Sequence, residues 1–235
     1  MINILIPMAG RGSRFSERGY DLPKPWIDVV GKPLAQVAIE TLGIKGRFIY
    51  VVQKSHGLLE LLMNTTPGCI VVEIDEMTNG ASSSALMAKG LINTDEPLII
   101  TNCDQAMNWS SADFEEFIST TKSDGVLVTY RSKDLKNSFA EIQNGVVTKV
   151  VEKQPLGDIA LTGLHYWSKG SLFVETAEWL EENFKSEGYK ETYVSATYQR
   201  LIDQGYTISQ YMLEDGGYIP LGTPEDLNNY LGKYR

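Results

Sequence analysis

Residues 7–15, Pro7-Met8-Ala9-Gly10-Arg11-Gly12-Ser13-Arg14-Phe15, close the apolar run Ile2 to Pro7 at the start of the chain. A continuous apolar run that ends in a glycine turn suits a strand buried on both faces of a sheet, as parallel strands are when helices cover them. The glycines permit positive φ and close approach, so the amides of the turn point at one concavity, which makes it an anion site. This stretch therefore predicts an α/β fold with a ligand beyond the carboxyl end of its first strand.

The turn is not a Walker A loop, because GxxxxGK[ST] is absent. It is not a dinucleotide fingerprint either, because Phe15 stands where the third glycine belongs. Gln53-Lys54 follows the second strand-like run, where a ribose-binding acid is expected in a dinucleotide fold. Two cations join the turn. Arg14 can fork onto phosphate oxygens, and Lys24, held between Pro23 and Pro25, presents a point charge from a stiffened, extended segment.

Outward from the turn, strand and helix patterns alternate. Arg47–Gln53, Cys69–Ile74 and Leu98–Thr101 repeat the buried-strand character, and helical spacing covers Leu34–Leu42, Leu58–Met63, Ser82–Leu91 and Phe114–Thr121, the last with a cap at Ser111. The alternation predicts a mostly parallel sheet wrapped by helices. Short strands follow at Gly125–Tyr130, Phe139–Gln143, Val146–Glu152 and Ile159–Trp167, with Asn144-Gly145 as a hairpin turn. Helices at Leu172–Phe184, Val194–Asp203 and Asp226–Leu231 and a strand at Tyr206–Met212 complete one expected domain over residues 1–235.

The 235 residues, 43% hydrophobic and 22% charged, are enough for one sizeable core. A formal net charge of −9 argues against a nucleic-acid or anionic-membrane surface, so any polyanion must meet a local positive site. Cys69 and Cys103 have neither zinc-cluster nor disulfide spacing, which makes a reducing cytoplasm the expected compartment. The N-terminal apolar run is too short for a signal peptide or a membrane span.

The turn after Leu98–Thr101 carries Asp104, a carboxylate placed where it can hold Mg²⁺ against substrate phosphate, or cap the next element. Thr78-Asn79-Gly80-Ala81-Ser82 opens a helix with small residues that would let a flat base lie near the backbone. His56 and His165, the only histidines, have no partnered motif and read as structural or surface residues.

With these residues assembled, the chain resembles the sugar-phosphate nucleotidyltransferases, the NDP-sugar pyrophosphorylases, along nearly its full length. Pro7–Phe15 matches that family's AAGxGxRL turn, Pro23-Lys24 and Gly31-Lys32-Pro33 its PK and GKP elements, and Asp104 its metal-binding Asp. Thr78–Ala81 resembles the base-contacting turn, Val151–Pro155 the EKP element, Leu161–Leu164 the sugar-contacting TGL, and Leu221–Leu227 the closing GTPEDL.

The resemblance implies a three-layer, Rossmann-like α/β domain around a mostly parallel mixed sheet. It implies catalytic roles for Arg14, Lys24 and Asp104, with Asp104 on Mg²⁺. Nucleotide contacts would come from Met8, Ala9, Gly10, Arg11, Gly12, Ser13 and Arg14 and from Thr78, Gly80 and Ala81, and acceptor contacts from Trp26, Glu152, Lys153 and Gly163. The partners implied are a nucleoside triphosphate and a phosphorylated small molecule, with no nucleic acid or membrane and with a homo-oligomer left open.

Two departures stand out. Pro220 occupies the position of the family's second metal-binding Asp, so one carboxylate suffices, Glu214 or Asp215 substitutes, or activity is lost. Gln154 interrupts Glu152-Lys153-Pro155 and Trp26 follows the PKP, both on the acceptor side. The leading reading is Mg²⁺-dependent synthesis of an NDP-sugar for surface polysaccharide. The others are a cytidylyltransferase acting on phosphocholine or another small non-sugar phosphate, a glycosyltransferase of related fold, and a non-catalytic nucleotide binder.

Overall fold

The computed structural model describes residues 1–154 and 156–232. Its strands are β1 (Asn3–Met8), β2 (Asp28–Val29), β3 (Lys32–Pro33), β4 (Arg47–Gln53), β5 (Ile70–Ile74), β6 (Leu98–Ile100), β7 (Gln105–Met107), β8 (Gly125–Arg131), β9 (Ser138–Gln143), β10 (Val146–Glu152), β11 (Ile159–Trp167), β12 (Ile208–Met212) and β13 (Tyr218–Pro220). Among the described residues, nine of these form one sheet in the order β5-β4-β1-β6-β11-β8-β12-β10-β9.

β5, β4, β1 and β6 are parallel neighbours, as are β8 and β12, whereas β11 and β10 run against the strands beside them. The sheet is thus mixed, with β10 and β11 the reversed strands. The parallel half follows from continuous apolar runs. In β1, Ile4 and Ile6 enter one apolar layer and Leu5 the layer on the opposite face, all with no exposure. Burying such side chains contributes about 1.5–3 kcal/mol each.

Helices complete the two outer layers. Ala81–Leu86, Gly170–Asn183 and Ala196–Asp203 pack into the layer holding Leu5, Leu127 and Trp167. Leu34–Leu42, Leu59–Thr65 and Ser111–Thr120 pack into the layer holding Ile4, Tyr50 and Val126. Asn144 and Gly145 both take positive φ, 53° and 80°, as a two-residue hairpin turn between β9 and β10 requires.

Some expectations are corrected. The helix expected over Ser82–Leu91 is two pieces, Ala81–Leu86 and Lys89–Ile92, divided where Ala88 leaves helical geometry (φ −94°, ψ 12°). The cap of Ser111–Thr120 is Ser110, whose hydroxyl accepts from the Asp113 amide at 3.2 Å. The ribbon of β7 with β13 and the pair β2–β3 are strands of two or three residues, too short for a periodicity to announce them.

Candidate active site

The glycine turn leaves β1 and ends in a single helical turn, Ser13–Ser16, which Gly12 enters in the left-handed region at φ 62°. A side chain at position 12 would bring its Cβ within 3.2 Å of Lys24 Cβ, so glycine serves both conformation and space. Among the described residues nothing accepts from the amides of Gly10, Arg11 or Gly12. Phe15, fully buried with Ile27, Val29, Leu34, Leu221 and Leu227, anchors the turn from beneath. Arg14, on the cavity wall, forms no ion pair with a described residue.

Lys24 begins the 3₁₀ turn Lys24–Trp26, and its ammonium donates to the carboxylate of Asp104 from across the turn that follows β6. Burial by itself pulls the Lys24 pKa down. The Asp104 charge and hydrogen bond outweigh it, so the pKa stands above the ordinary lysine value, with Arg14 acting against. Asp104 is fixed by its backbone, whose carbonyl accepts from Leu221 N at 2.8 Å beside the β7–β13 ribbon.

Glu152 and Lys153 stand on the opposite wall at the end of β10. The Glu152 carboxylate accepts from Ser138 and, at 2.7 Å, from Ser195; burial pushes its pKa up against those two bonds. Lys153, a non-glycine residue at φ 51°, reaches Tyr193 Oη at 3.0 Å and Glu191 at 3.5 Å. Gly163 forms the floor where the register of β11 against β8 shifts. Its amide donates to Gln105 Oε1 at 2.9 Å, and a Cβ there would collide with Asn102 and lie 2.6 Å from Gln105.

The expected site residues Gly10, Gly12, Ser13, Arg14, Lys24, Ala81, Asp104, Glu152, Lys153 and Gly163 line one cavity of about 520 Å³, within the usual range for small-molecule sites. Met8 lines an adjoining cavity of about 190 Å³ beneath the Lys24–Asp104 pair. Ala9, Arg11, Thr78 and Gly80 are not on either lining. Thr78 bonds Gly80 O at 3.0 Å and Ser84 Oγ at 2.7 Å, which shapes the turn that delivers Ala81.

Trp26 packs against the apolar layer that contains Met8 and Cys103, not into the cavity, because the 3₁₀ turn sends Lys24 toward the site and Trp26 toward the core. Gln154 is exposed and off the lining, and Pro155 of the expected Val151–Pro155 element lies outside the described residues. Ser138, Ser195, Lys136, Asp226 and His165 line the cavity without having been anticipated. Ser138, Ser195, Lys136 and His165 have no motif around them, and Asp226 stands in the Leu221–Leu227 element, where Thr-Pro-Glu-Asp reads as a helix cap.

The family model "Nucleotidyl transferase" matches residues 4–234. The chain belongs to the nucleotidyl transferase family. A curated relative, the low-salt glycan biosynthesis nucleotidyltransferase Agl11 of Haloferax volcanii, is 24% identical over 229 residues; the match covers 93% of this chain and 62% of the relative, so the chain spans about three fifths of that protein's length. Among solved structures, the nucleoside-diphosphate-sugar pyrophosphorylase of Vibrio cholerae RC9 superposes with a TM-score of 0.84 at 22% identity, covering 97% of this chain and 99% of its own. The inositol-1-phosphate CTP transferase of T. maritima gives 0.78 at 18% identity, with 98% and 93% covered. At these identities the structural likeness carries the nucleotidyl transferase fold and not the substrate. Among the described residues, no helix is long and apolar enough to cross a membrane.

Proposed function

We propose that this nucleotidyl transferase family member moves a nucleoside monophosphate from a nucleoside triphosphate to a phosphorylated small molecule, a sugar 1-phosphate or a similar metabolite, and releases pyrophosphate. The observation that carries the reading is the Lys24–Asp104 pair set beside unpartnered glycine-turn amides, with Glu152 and Lys153 facing them across one cavity. The amides of residues 10–12 and Arg14 hold the triphosphate. Lys24 exchanges its carboxylate for phosphate oxygens between nucleotide and acceptor.

An oxygen of the acceptor phosphate attacks the α-phosphorus in line, the bond to the bridging oxygen breaks, and pyrophosphate departs. That oxygen is already mostly ionised near neutrality, so no general base is needed. Positioning and fixed cations supply the rate, as in other phosphoryl transfers. Glu152 and Lys153 present an acceptor and a donor to the far end of the acceptor molecule.

Mg²⁺ fits the Asp104 corner. Its carboxylate is 22% exposed at the cavity wall, and the space at Gly222, where a Cβ would lie only 3.0 Å from Asp104 Oδ2, is left open by glycine. When bound, Mg²⁺ supplies neutralisation of charge on the α-phosphate. The glycan-biosynthesis role named for the Haloferax volcanii relative supports a place in surface-glycan precursor supply.

A matrix of four nucleoside triphosphates against sugar 1-phosphates and non-sugar phosphates, with Mg²⁺ and read by pyrophosphate release, tests the reading and selects the acceptor class. Lys24→Ala and Asp104→Ala are each expected to lower the active combination by about 10²–10³-fold. Full activity in both variants would sink the assignment.

A further inference from the structure

We propose that Asp226 is the second carboxylate of the divalent-cation site, opposite Asp104 across Gly222; this rests on the nucleotidyl-transfer reading above. A Cβ built on Gly222 would lie 3.0 Å from Asp104 Oδ2 and 3.9 Å from Asp226 Oδ2, so the two carboxylates flank the same small volume and only glycine leaves it open. Both residues line the cavity. Pro220 offers no side-chain ligand, while Glu214 and Asp215 are exposed and off the cavity lining, which removes them as substitutes.

The charges around this gap point the same way. Each carboxylate has a lysine beside it: Lys24 sits on Asp104, and Lys136, paired with Asp134 at 3.2 Å, also lies 3.6 Å from Asp226 Oδ1. A divalent cation between the two acids replaces both ammonium groups and frees them for phosphate oxygens arriving in the same cavity. Mg²⁺ prefers this donor set, one or two carboxylates completed by phosphate and water.

Asp226 is also held still. It lies in the first turn of helix Pro224–Leu231, its amide donates to Thr223 Oγ1 at 3.1 Å, and its Oδ2 accepts from the same hydroxyl at 2.7 Å. Its side chain is 12% exposed, toward the cavity. The cap hydroxyl thus fixes Oδ2, the same oxygen that lies 3.9 Å from the Gly222 Cβ position, at the edge of the gap.

The test is direct binding of Mn²⁺ alone, read by loss of the free-ion EPR signal, with no turnover required. Asp104→Asn and Asp226→Asn are each expected to weaken Mn²⁺ by at least about tenfold. Thr223→Ala removes the cap hydroxyl and keeps the carboxylate, so Asp226→Asn weakening Mn²⁺ well beyond Thr223→Ala separates ligation from capping, and equal losses in the two overturn ligation by Asp226. Lys136→Met, which leaves the helix intact, tightens Mn²⁺ by about threefold by removing a competing cation, and keeps the question answerable if Asp226→Asn fails to fold. Affinity within about twofold of wild type in Asp226→Asn, with loss only in Asp104→Asn, overturns the role of Asp226. An unchanged Lys136→Met overturns it as well. No change in either aspartate variant overturns the metal part of the nucleotidyl-transfer reading and this proposal with it.

Discussion

His165 lines the cavity from β11, and its Nδ1 is sealed without a partner. Burial drives the imidazole pKa down to about 3, so the ring is neutral throughout the working range. A buried N–H with no acceptor is the rarer and costlier orphan, which places the single proton on Nε2 and makes His165 a neutral donor toward the cavity. Nitrogen-15 NMR on a chain with two histidines reads this directly: one resonance should hold the Nε2–H tautomer from pH 5 to 9. The same shift sets a stability prediction. The unfolded chain takes up a proton near pH 6.5 that the folded chain refuses down to about 3. Stability therefore falls as pH drops through that window, by up to about 1.4 kcal/mol per unit. His165→Phe should flatten that acid limb in thermal melts, and an unchanged slope would refute the assignment. From the sequence His165 reads as structural or surface; its burial was not legible because the Tyr198 ring, thirty-three residues on, packs against it only in the fold.

At the scale of elements, the small-residue turn at 78–81 shows how a short motif depends on a distant helix. Glu181, on helix Gly170–Asn183, accepts from Asn79 and from Ser83, and Thr192 clamps the same turn through Thr192 N to Asn79 O at 3.0 Å and Ser82 N to Thr192 O at 3.0 Å. These bonds keep the first turn of Ala81–Leu86 in place beside the cavity. We expect Glu181→Ala to raise KM for the nucleotide severalfold with a smaller effect on kcat, since it loosens the turn that the family resemblance assigns to the base and touches no reacting atom. A fall in kcat with KM unchanged would contradict that role. Long elements such as Leu34–Leu42, Arg47–Gln53 and Ile159–Trp167 were legible from pattern because each carries a full period of buried side chains. The Glu181 clamp was not, because its partners lie about a hundred residues away.

Over the whole molecule, the site is the seam between two halves of one sheet. The glycine turn, Lys24 and Asp104 come from the parallel half, while Glu152, Lys153 and Gly163 come from the strands beyond β6, joined by the antiparallel pairing of His165 with Ile100 and Trp167 with Leu98. The first group was readable because the glycine spacing of the turn and the Pro-Lys-Pro segment are local. Asp226 stands in the Leu221–Leu227 element, but its nearness to Asp104 was not legible, because Gly222 and the β7–β13 ribbon bring the two together only in the fold. This continuity leads us to expect one cooperative unit over the chain. The proposed nucleotide, held mainly by the first half, is expected at about 100 times its Kd to stabilise by about 2.7 kcal/mol, which for a chain of this size raises Tm by roughly 5–11 °C. In hydrogen exchange, amides of β1 and of β12, on opposite sides of the seam, should gain the same protection when that nucleotide binds, because both exchange only through global opening. Protection gained in β1 and absent in β12 would mean that the halves open independently, and the seam would then be an interface between two units instead of the middle of one.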